Sequence, residues 1–196
     1  MNSINYYNKH TDHYIQDTFS IHLGTLHTMF LAYIPIGGKI LDAGCGPGRD
    51  AKLYSEMGYD VTAMDGSEAM IAHCRQWLDE KAVCATFESF HTEEKYDGIW
   101  ASASFLHVEE KDMPVTITKF LGFLKPSGIF YLSYKVGDHS YEKDGRHYTC
   151  YTNESLKALM DSIPSVIVLE LTTTSDERAG RSNELWLNLI IRHQIA

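Results

Sequence analysis

Three glycines at alternate positions, Gly44, Gly46 and Gly48, follow the short apolar stretch Lys39–Ala43. Glycine tolerates a left-handed backbone and lets a ligand approach the main chain closely, so this spacing is typical of a loop that holds a nucleoside cofactor. The spacing is GxGxG, one residue shorter at the third glycine than the GxGxxG loop that holds a dinucleotide pyrophosphate. The sequence therefore predicts a cofactor other than a dinucleotide, with an ordinary strand-to-helix turn as the alternative.

Two aspartates lie where their carboxylates could contact such a cofactor. Asp42 directly precedes the glycines and suits an ammonium group, either directly or through water; a residue that caps the turn is the alternative. Asp65 ends the next apolar stretch, 21 residues after Gly44, and could accept hydrogen bonds from both hydroxyls of a ribose. A turn aspartate before Gly66 is the alternative for Asp65, but the preceding glycine loop favours the ribose contact.

A third part of the nucleoside pocket is predicted at Phe87-Glu88-Ser89-Phe90, which follows a weak strand signal. Backbone amides and an aromatic edge in this segment could hold an adenine ring. Packing in the hydrophobic core carries equal weight for Phe87 and Phe90, so both interpretations stay open.

Hydrophobic periodicity predicts one α/β domain over residues 1–196, with a helical N-terminal segment over 1–36. Strands and helices then alternate, which favours a parallel sheet covered on both faces. The last two strands have no helix between them, so we expect an antiparallel hairpin at one edge of the sheet. The predicted strands are Lys39–Ala43, Asp60–Met64, Val83–Phe87, Tyr96–Ala101, Ile129–Tyr134, Val166–Leu171 and Leu185–Ile191. The predicted helices are Asp50–Met57, a helix capped by Ser67 that runs to about Leu78, Lys111–Leu124 and Thr152–Ser162, with a loop over Gly137–Tyr151.

Polar side chains follow the later strands on the side where a second ligand would lie, beyond the carboxyl ends of the parallel strands. His107 follows the fourth strand, together with Ser102 and Ser104, and could act as a base or contact that ligand; a packed histidine is the alternative. We expect four cations to form a rim for a carboxylate, phosphate or oxyanion: Lys135, Arg146, Arg178 and Arg181. Solvated loop charges are the alternative, because Asp176 and Glu177 adjoin Arg178 in the sequence.

The composition narrows the class of protein. The chain has 196 residues, 44% of them hydrophobic, and a formal net charge of −9, which argues against sequence-independent binding to DNA. The four cysteines form no CxxC pair and the histidines show no metal-ligand spacing, so we expect no metal and a reduced, cytoplasmic protein. The N-terminus lacks the features of a signal peptide, and the longest apolar stretch is too short to span a membrane.

Four motifs resemble, in order, those of the class I methyltransferase family. They are ILDAGCGPGRD (40–50), VTAMDGS (61–67), YDGIWASASFLHV (96–108) and LKPSGIFYLSYK (124–135), and the resemblance extends over nearly the whole chain. It implies a Rossmann-like three-layer sandwich with a seven-stranded, mostly parallel sheet of order 3-2-1-4-5-7-6, in which strand 7 is antiparallel. The short form and the GRD that ends the glycine motif look most like the small tellurite-resistance methyltransferases.

The resemblance implies S-adenosylmethionine as the cofactor, S-adenosylhomocysteine as its product, and methyl transfer as the reaction. The family's contacts from the glycine loop and from the acid after strand 2 fall on Gly44, Gly46, Gly48 and Asp65. In this family the N-terminal segment often folds over the cofactor, so Tyr7 could contact the sulfonium through a cation–π interaction, with helix packing as the alternative. Further cofactor contacts are expected from Asp42, Cys45, Arg49, Gly66, Ser67, Met70, Glu88, Ser89, Phe90, Ala101 and Ser102.

A small, anionic or polar molecule is the expected methyl acceptor, bound by a monomer or a homodimer. An RNA or protein methyltransferase and a non-catalytic S-adenosylmethionine-binding regulator stay open as alternatives. The segment Ser102–Phe105 lacks the prolines of amino-methylating DNA enzymes and the Pro-Cys pair of cytosine-C5 enzymes. The glycine spacing and the terminal hairpin disfavour a nicotinamide oxidoreductase.

Overall fold

The apolar stretch Lys39–Ala43 forms the central strand of a large sheet, and nearly all of it is buried. The computed structural model describes residues 3–164, 166–178 and 180–193. The strands in this part of the chain are β1 (Lys39–Ala43), β2 (Asp60–Asp65), β3 (Ala82–Cys84), β4 (Tyr96–Ala101), β5 (Leu124–Val136), β6 (Tyr141–Lys143), β7 (Arg146–Tyr148), β8 (Cys150–Tyr151), β9 (Val166–Ser175) and β10 (Leu185–His193). The α-helices are α1 (Ser3–Lys9), α2 (Thr11–Thr18), α3 (Gly24–Leu31), α4 (Arg49–Glu56), α5 (Glu68–Leu78), α6 (Met113–Leu121) and α7 (Asn153–Asp161).

The main sheet has the order β3-β2-β1-β4-β5-β10-β9, which confirms the order expected from the sequence motifs. Neighbouring strands from β3 to β5 are parallel, whereas β10 runs antiparallel to both β5 and β9. The last two strands therefore form the predicted hairpin at one edge. The carboxyl ends of β1, β2, β4 and β5 meet along one edge of the sheet, where a ligand site is expected.

Successive residues of the inner strands pack into two separate cores, one on each face of the sheet. Leu41 and Ile99 lie in the core that also contains side chains of α6 and α7. Ile40 and Trp100, their neighbours in sequence, lie in the core formed with α3, α4 and α5. Burial on both faces explains why these strands are nearly continuous apolar runs.

Two predicted boundaries near β5 were wrong: the end of the helix before it, and the start of the strand, which was predicted at Ile129 and lies at Leu124. The helix predicted to end at Leu124 ends at Leu121, because Leu124 pairs with Tyr96 and begins β5. The register between β4 and β5 then shifts before Ile129, and Ser127 adopts a φ of 63° within this irregular stretch. The segment Pro126-Ser127-Gly128, between the predicted helix and the predicted strand, thus lies inside β5 as a bulge.

Two other predictions needed correction. The third strand ends at Cys84 instead of Phe87, because Phe90 N bonds to Thr86 O and closes a turn. The predicted loop over Gly137–Tyr151 contains the antiparallel hairpin β6–β7 and the short strand β8. Its turn residues Asp144 and Gly145 have φ values of 55° and 74°, as a type I′ hairpin turn requires. The Asp-Gly pair is the sequence signal from which this hairpin could have been predicted.

Two helix starts have side-chain caps, and Ser67 is the cap that the sequence predicts for α5. The Ser67 hydroxyl accepts a hydrogen bond from Met70 N at the start of α5. Thr152 and Ser155 form a reciprocal capping box at the start of α7. The predicted N-terminal helical segment is divided into α1, α2 and α3.

Two glycines with the same backbone conformation allow a matched test of packing beside the glycine loop. Gly48 and Gly58 both have a φ of 88°, so alanine at either position costs about 1–2 kcal/mol for the left-handed backbone. A Cβ on Gly48 would lie 2.7 Å from Cys74 Sγ, whereas a Cβ on Gly58 has no atom within 4 Å.

We therefore expect Gly48→Ala to lower the free energy of unfolding by about 1–3 kcal/mol more than Gly58→Ala, through overpacking. Urea unfolding of the two variants measures the difference. Equal losses of stability would contradict the close packing of this loop against α5.

Candidate functional site

The glycine loop between β1 and α4 is held by main-chain bonds and by its neighbours. Gly44, Gly46 and Gly48 have φ values of 79°, 52° and 88°, which an L side chain rarely adopts. Gly44 N and Cys45 N both donate to Met64 O, at 2.8 and 3.0 Å. A Cβ on Gly44 would lie 2.3 Å from the Cβ of Ser104, so the loop needs glycine for space as well as conformation.

Asp65 joins the glycine loop to the start of α5. Its Oδ2 accepts a hydrogen bond from Gly46 N at 2.9 Å, and its Oδ1 accepts one from Ser67 N at 2.8 Å. Burial raises the pKa of Asp65, although the two amide bonds oppose this rise. Each carboxylate oxygen can accept a second bond, so both remain able to bind ligand hydroxyls.

Asp42 is a buried carboxylate with an unused oxygen. It is 2% exposed, and its Oδ2 has no hydrogen-bond partner among the residues that the structure describes. Burial raises the pKa of Asp42 well above its usual range, and the nearby Asp50 raises it further. A buried polar atom without a partner costs free energy, so this oxygen indicates a missing donor, such as the ammonium group of a ligand.

Asp50, by contrast, is fully bonded. It accepts from Arg49 Nε at 2.7 Å, from Trp100 Nε1 at 2.8 Å and from His27 Nε2 at 3.1 Å. Although burial opposes ionisation, Arg49 holds the pKa of Asp50 well below its usual range. The Arg49 charge is therefore balanced within the protein, while its side chain also lines the site.

These residues open onto one cavity of about 820 Å³. Three quarters of the predicted site residues line it, and they include residues predicted for the nucleoside and residues predicted for the second ligand. They are Asp42, Gly44, Cys45, Gly46, Arg49, Asp65, Gly66, Met70, Glu88 and Ser102, with Tyr7, His107, Arg146, Arg178 and Arg181.

Five other predicted contacts lie outside this lining. Phe90 packs in the core against Phe120 and Phe123, and it is Phe87 that faces the cavity, so core packing was the correct alternative for Phe90. The remaining four have structural roles near the cavity. Gly48 packs on α5, Ser67 caps that helix, Ser89 bonds to Thr86, and Ala101 is buried at the end of β4.

The N-terminal helices lie over the glycine loop. A Cβ on Gly66 would lie 2.8 Å from the Ile4 side chain, and Ser67 Oγ donates to Asn8 Oδ1 at 2.7 Å. A Cβ on Gly46 would lie 3.7 Å from the Tyr14 ring. Residues of α1 and α2 therefore lie next to the glycine loop and the start of α5.

Tyr7 and His107 form a neutral pair on the wall of the cavity. His107 Nδ1 lies 2.6 Å from His147 O, and a carbonyl only accepts, so Nδ1 carries the proton and Nε2 has the lone pair. The Tyr7 hydroxyl lies 2.9 Å from Nε2 and donates to it. Burial lowers the pKa of His107 to about 4 and raises the pKa of Tyr7 well above its usual value.

Arg146 completes this contact between α1 and the hairpin β6–β7. Its guanidinium carbon lies 3.8 Å from the centre of the Tyr6 ring and 5.4 Å from that of Tyr148. Asp144 lies 3.4 Å from one of its nitrogens. Arg146 therefore stacks among aromatic rings instead of standing free at the rim.

Two of the other three rim cations, Lys135 and Arg178, form ion pairs. Arg178 forms a two-point ion pair with Asp176, in which Nε lies 2.8 Å from Oδ1, and Lys135 pairs with Glu184. Arg181 is exposed at the edge of the cavity. Arg178 is thus neutralised by Asp176, as its sequence neighbours suggested, whereas Lys135 is not a solvated loop charge, because it lies in β5 with a side chain that is 16% exposed.

Sequence reasoning missed a polar floor in the same cavity, formed by Ser133, Thr174 and Asn188. These residues come from β5, β9 and β10. The available signal was Asn188, a lone amide inside the apolar stretch Leu185–Ile191.

Two further observations describe the chain around the site. Over residues 3–164, 166–178 and 180–193, no helix has the length and apolar character needed to cross a membrane. Within the same ranges, no group of three or more His, Cys, Asp or Glu side chains is placed to hold a metal ion.

Sequence comparison matches residues 40–128 to the family model described as "Methyltransferase domain". Trans-aconitate 2-methyltransferase of Delftia acidovorans is 28% identical over 167 residues, which are 76% of this chain and 61% of that protein. The probable S-adenosyl-L-methionine-dependent methyltransferase TehB of Haemophilus influenzae is 30% identical over 84 residues, 40% of this chain and 29% of that protein. The chain thus spans less than two thirds of the length of these relatives.

Structure comparison extends the likeness to the whole fold. The 1,6-didemethyltoxoflavin-N1-methyltransferase of Burkholderia thailandensis, solved with S-adenosylhomocysteine, has a TM-score of 0.78 at 19% identity, over 98% of this chain and 85% of that chain. TehB of Haemophilus influenzae has a TM-score of 0.70 at 21% identity, over 97% of this chain and 67% of that chain. Residues 40–128 thus match a methyltransferase-domain model, and the chain has the fold of these solved methyltransferases, as its sequence motifs led us to expect.

Proposed function

We propose that this protein binds S-adenosylmethionine and transfers its methyl group to a small polar acceptor. One observation carries the proposal: Asp42, with a buried carboxylate oxygen that has no partner among the described residues, shares a cavity with Asp65 and the glycine loop. That set of groups suits a ligand with both a ribose and an ammonium group. S-adenosylmethionine has both, whereas a nicotinamide dinucleotide has no ammonium group.

The cavity divides along the sheet into two halves. We define the cofactor half by Asp42 and Asp65 at the ends of β1 and β2, and the acceptor half by the polar floor on β5, β9 and β10. In the cofactor half, Asp65 would hold the ribose, Asp42 the ammonium group, and the segment with Phe87 and Glu88 the adenine. This division leaves the acceptor half for the second substrate.

When bound, S-adenosylmethionine supplies a sulfonium methyl group for an in-line displacement with a neutral leaving group. The protein's task is then to position the two partners and exclude water. Contacts of α1 with the hairpin β6–β7, through Tyr6 and Arg146, cover one side of the cavity and serve that purpose. A general base is needed only for an acceptor that carries a proton at attack, and His107 Nε2 is already engaged by Tyr7.

A small acceptor is supported by the cavity and by the relatives. About 820 Å³ is enough for the cofactor and one small molecule, and residues of α1 and α2 contribute to the walls of this cavity. Trans-aconitate and 1,6-didemethyltoxoflavin, named for two similar proteins, are small molecules. The net charge of −9 disfavours RNA as the acceptor.

Loss of the Asp65 carboxylate tests the ribose contact. We expect Asp65→Ala to weaken S-adenosylhomocysteine binding roughly ten- to hundredfold, because hydrogen bonds to a charged group contribute about 1.5–3 kcal/mol. Calorimetric titration measures the dissociation constant. Asp60→Ala, at the opposite end of β2, is the matched control and should leave it unchanged. Tighter binding of NADH than of S-adenosylhomocysteine by the unaltered protein would contradict the proposed cofactor.

Proton release tests the ammonium contact. Because the pKa of Asp42 is raised in the free protein, part of the population is protonated at low pH, and a cationic group favours the ionised form. Binding of S-adenosylhomocysteine should therefore release protons, and affinity should rise with pH up to the pKa of free Asp42. Calorimetry in buffers of different ionisation enthalpy measures the release. Asp42→Asn should abolish it, and proton uptake by the unaltered protein would contradict the contact.

A further inference from the structure

Asn188 is an unusual residue for its position. It is 1% exposed in β10, and the neighbouring Leu187, Leu189 and Ile190 are buried apolar residues. A buried amide costs about 1–3 kcal/mol unless its hydrogen bonds are made. Its presence in an otherwise apolar strand therefore requires polar partners in the same place.

The register of three strands brings those partners to one face. Asn188 pairs with Ser133 of β5, and Trp186, two residues before it, pairs with Thr174 of β9. Paired residues of antiparallel strands point to the same side, so Ser133, Thr174 and Asn188 share the face that lines the cavity. Polar groups from three strands thus form a continuous floor in the acceptor half.

The floor retains a hydrogen-bond acceptor and a hydrogen-bond donor that its internal bonds do not use. Asn188 Oδ1 accepts from the Tyr131 hydroxyl at 2.7 Å and has a second lone pair. Asn188 Nδ2 donates to Thr174 Oγ1 at 3.0 Å, and the threonine hydroxyl retains its own proton to donate. One acceptor and one donor therefore lie side by side at the bottom of the cavity.

The charges beside the floor are balanced. Asp176 accepts from Arg178 and also from Trp186 Nε1, at 3.0 Å, and Lys135 pairs with Glu184. An anion bound here would have to compete with Asp176 for Arg178 and with Glu184 for Lys135. An uncharged ligand would bind without breaking either pair.

From this arrangement we infer that the acceptor half binds an uncharged small molecule with hydroxyl, carbonyl or amide groups, recognised by Asn188 and Thr174. The inference rests on the proposed function, and it narrows the acceptor from polar or anionic compounds to neutral ones. Hydrogen bonds from the floor, and not ion pairs at the rim, select the molecule.

Matched pairs of probes that differ in charge test this selection. The probes are catechol with 3,4-dihydroxybenzoate, and 4-hydroxybenzamide with 4-hydroxybenzoate, each titrated into protein saturated with S-adenosylhomocysteine. We expect the neutral member of each pair to bind at least about fivefold more tightly, the effect of one hydrogen bond of about 1 kcal/mol. Tighter binding of the carboxylates, or no binding of the neutral probes, overturns the inference.

Two threonines on β9 provide matched variants. Thr174→Val removes the donor of the floor, and Thr173→Val changes the exposed neighbour that points to the other side of the strand. We expect Thr174→Val to weaken binding of the neutral probes about fivefold and Thr173→Val to leave it unchanged.

Binding of S-adenosylhomocysteine separates this inference from the proposed function. It should be unchanged in both variants, because the floor lies outside the cofactor half. Weaker S-adenosylhomocysteine binding by Thr174→Val would assign the floor to the cofactor and overturn the inference. Absence of S-adenosylhomocysteine binding by the unaltered protein would instead overturn the proposed function.

Discussion

The carboxylate of Asp65 is the point on which the site depends, because it bonds to two turns at once. One oxygen holds Gly46 in the loop after β1, and the other holds Ser67 at the start of α5. The loop can take this shape because its glycines have positive φ and leave space for Ser104. A single side chain thus fixes the backbone around the cavity, while its remaining lone pairs stay available for a ligand.

The distribution of charge explains how one cavity can hold two different ligands. Asp50 is saturated by Arg49, Trp100 and His27, whereas Asp42 keeps an oxygen without a partner among the described residues. The free oxygen of Asp42 would therefore favour a cationic group in the proposed cofactor half. In the proposed acceptor half, Arg178 and Lys135 are each paired with a carboxylate, which leaves hydrogen bonding as the proposed means of recognition.

Features set by the local backbone could be predicted from the sequence, and features set by packing could not. The glycine loop and Asp65 follow from residue type and spacing, since only glycine suits the turn and the acid ends a strand. Both Phe87 and Phe90 contact Phe120, but Phe90 also packs against Phe123 and is buried, whereas Phe87 lines the cavity, and this difference is set by the core. The role of Asn188 depends on the register of β5, β9 and β10, which no single segment of sequence contains.

A crystal structure of the complex with S-adenosylhomocysteine is the most direct test of the central claim that β1 and β2 carry the cofactor half. The account predicts the ribose hydroxyls within hydrogen-bond distance of Asp65, the ammonium group at the free oxygen of Asp42, and the floor at Asn188 clear of the ligand. A nucleoside bound over β5 and β10, or an ammonium group distant from Asp42, would contradict it.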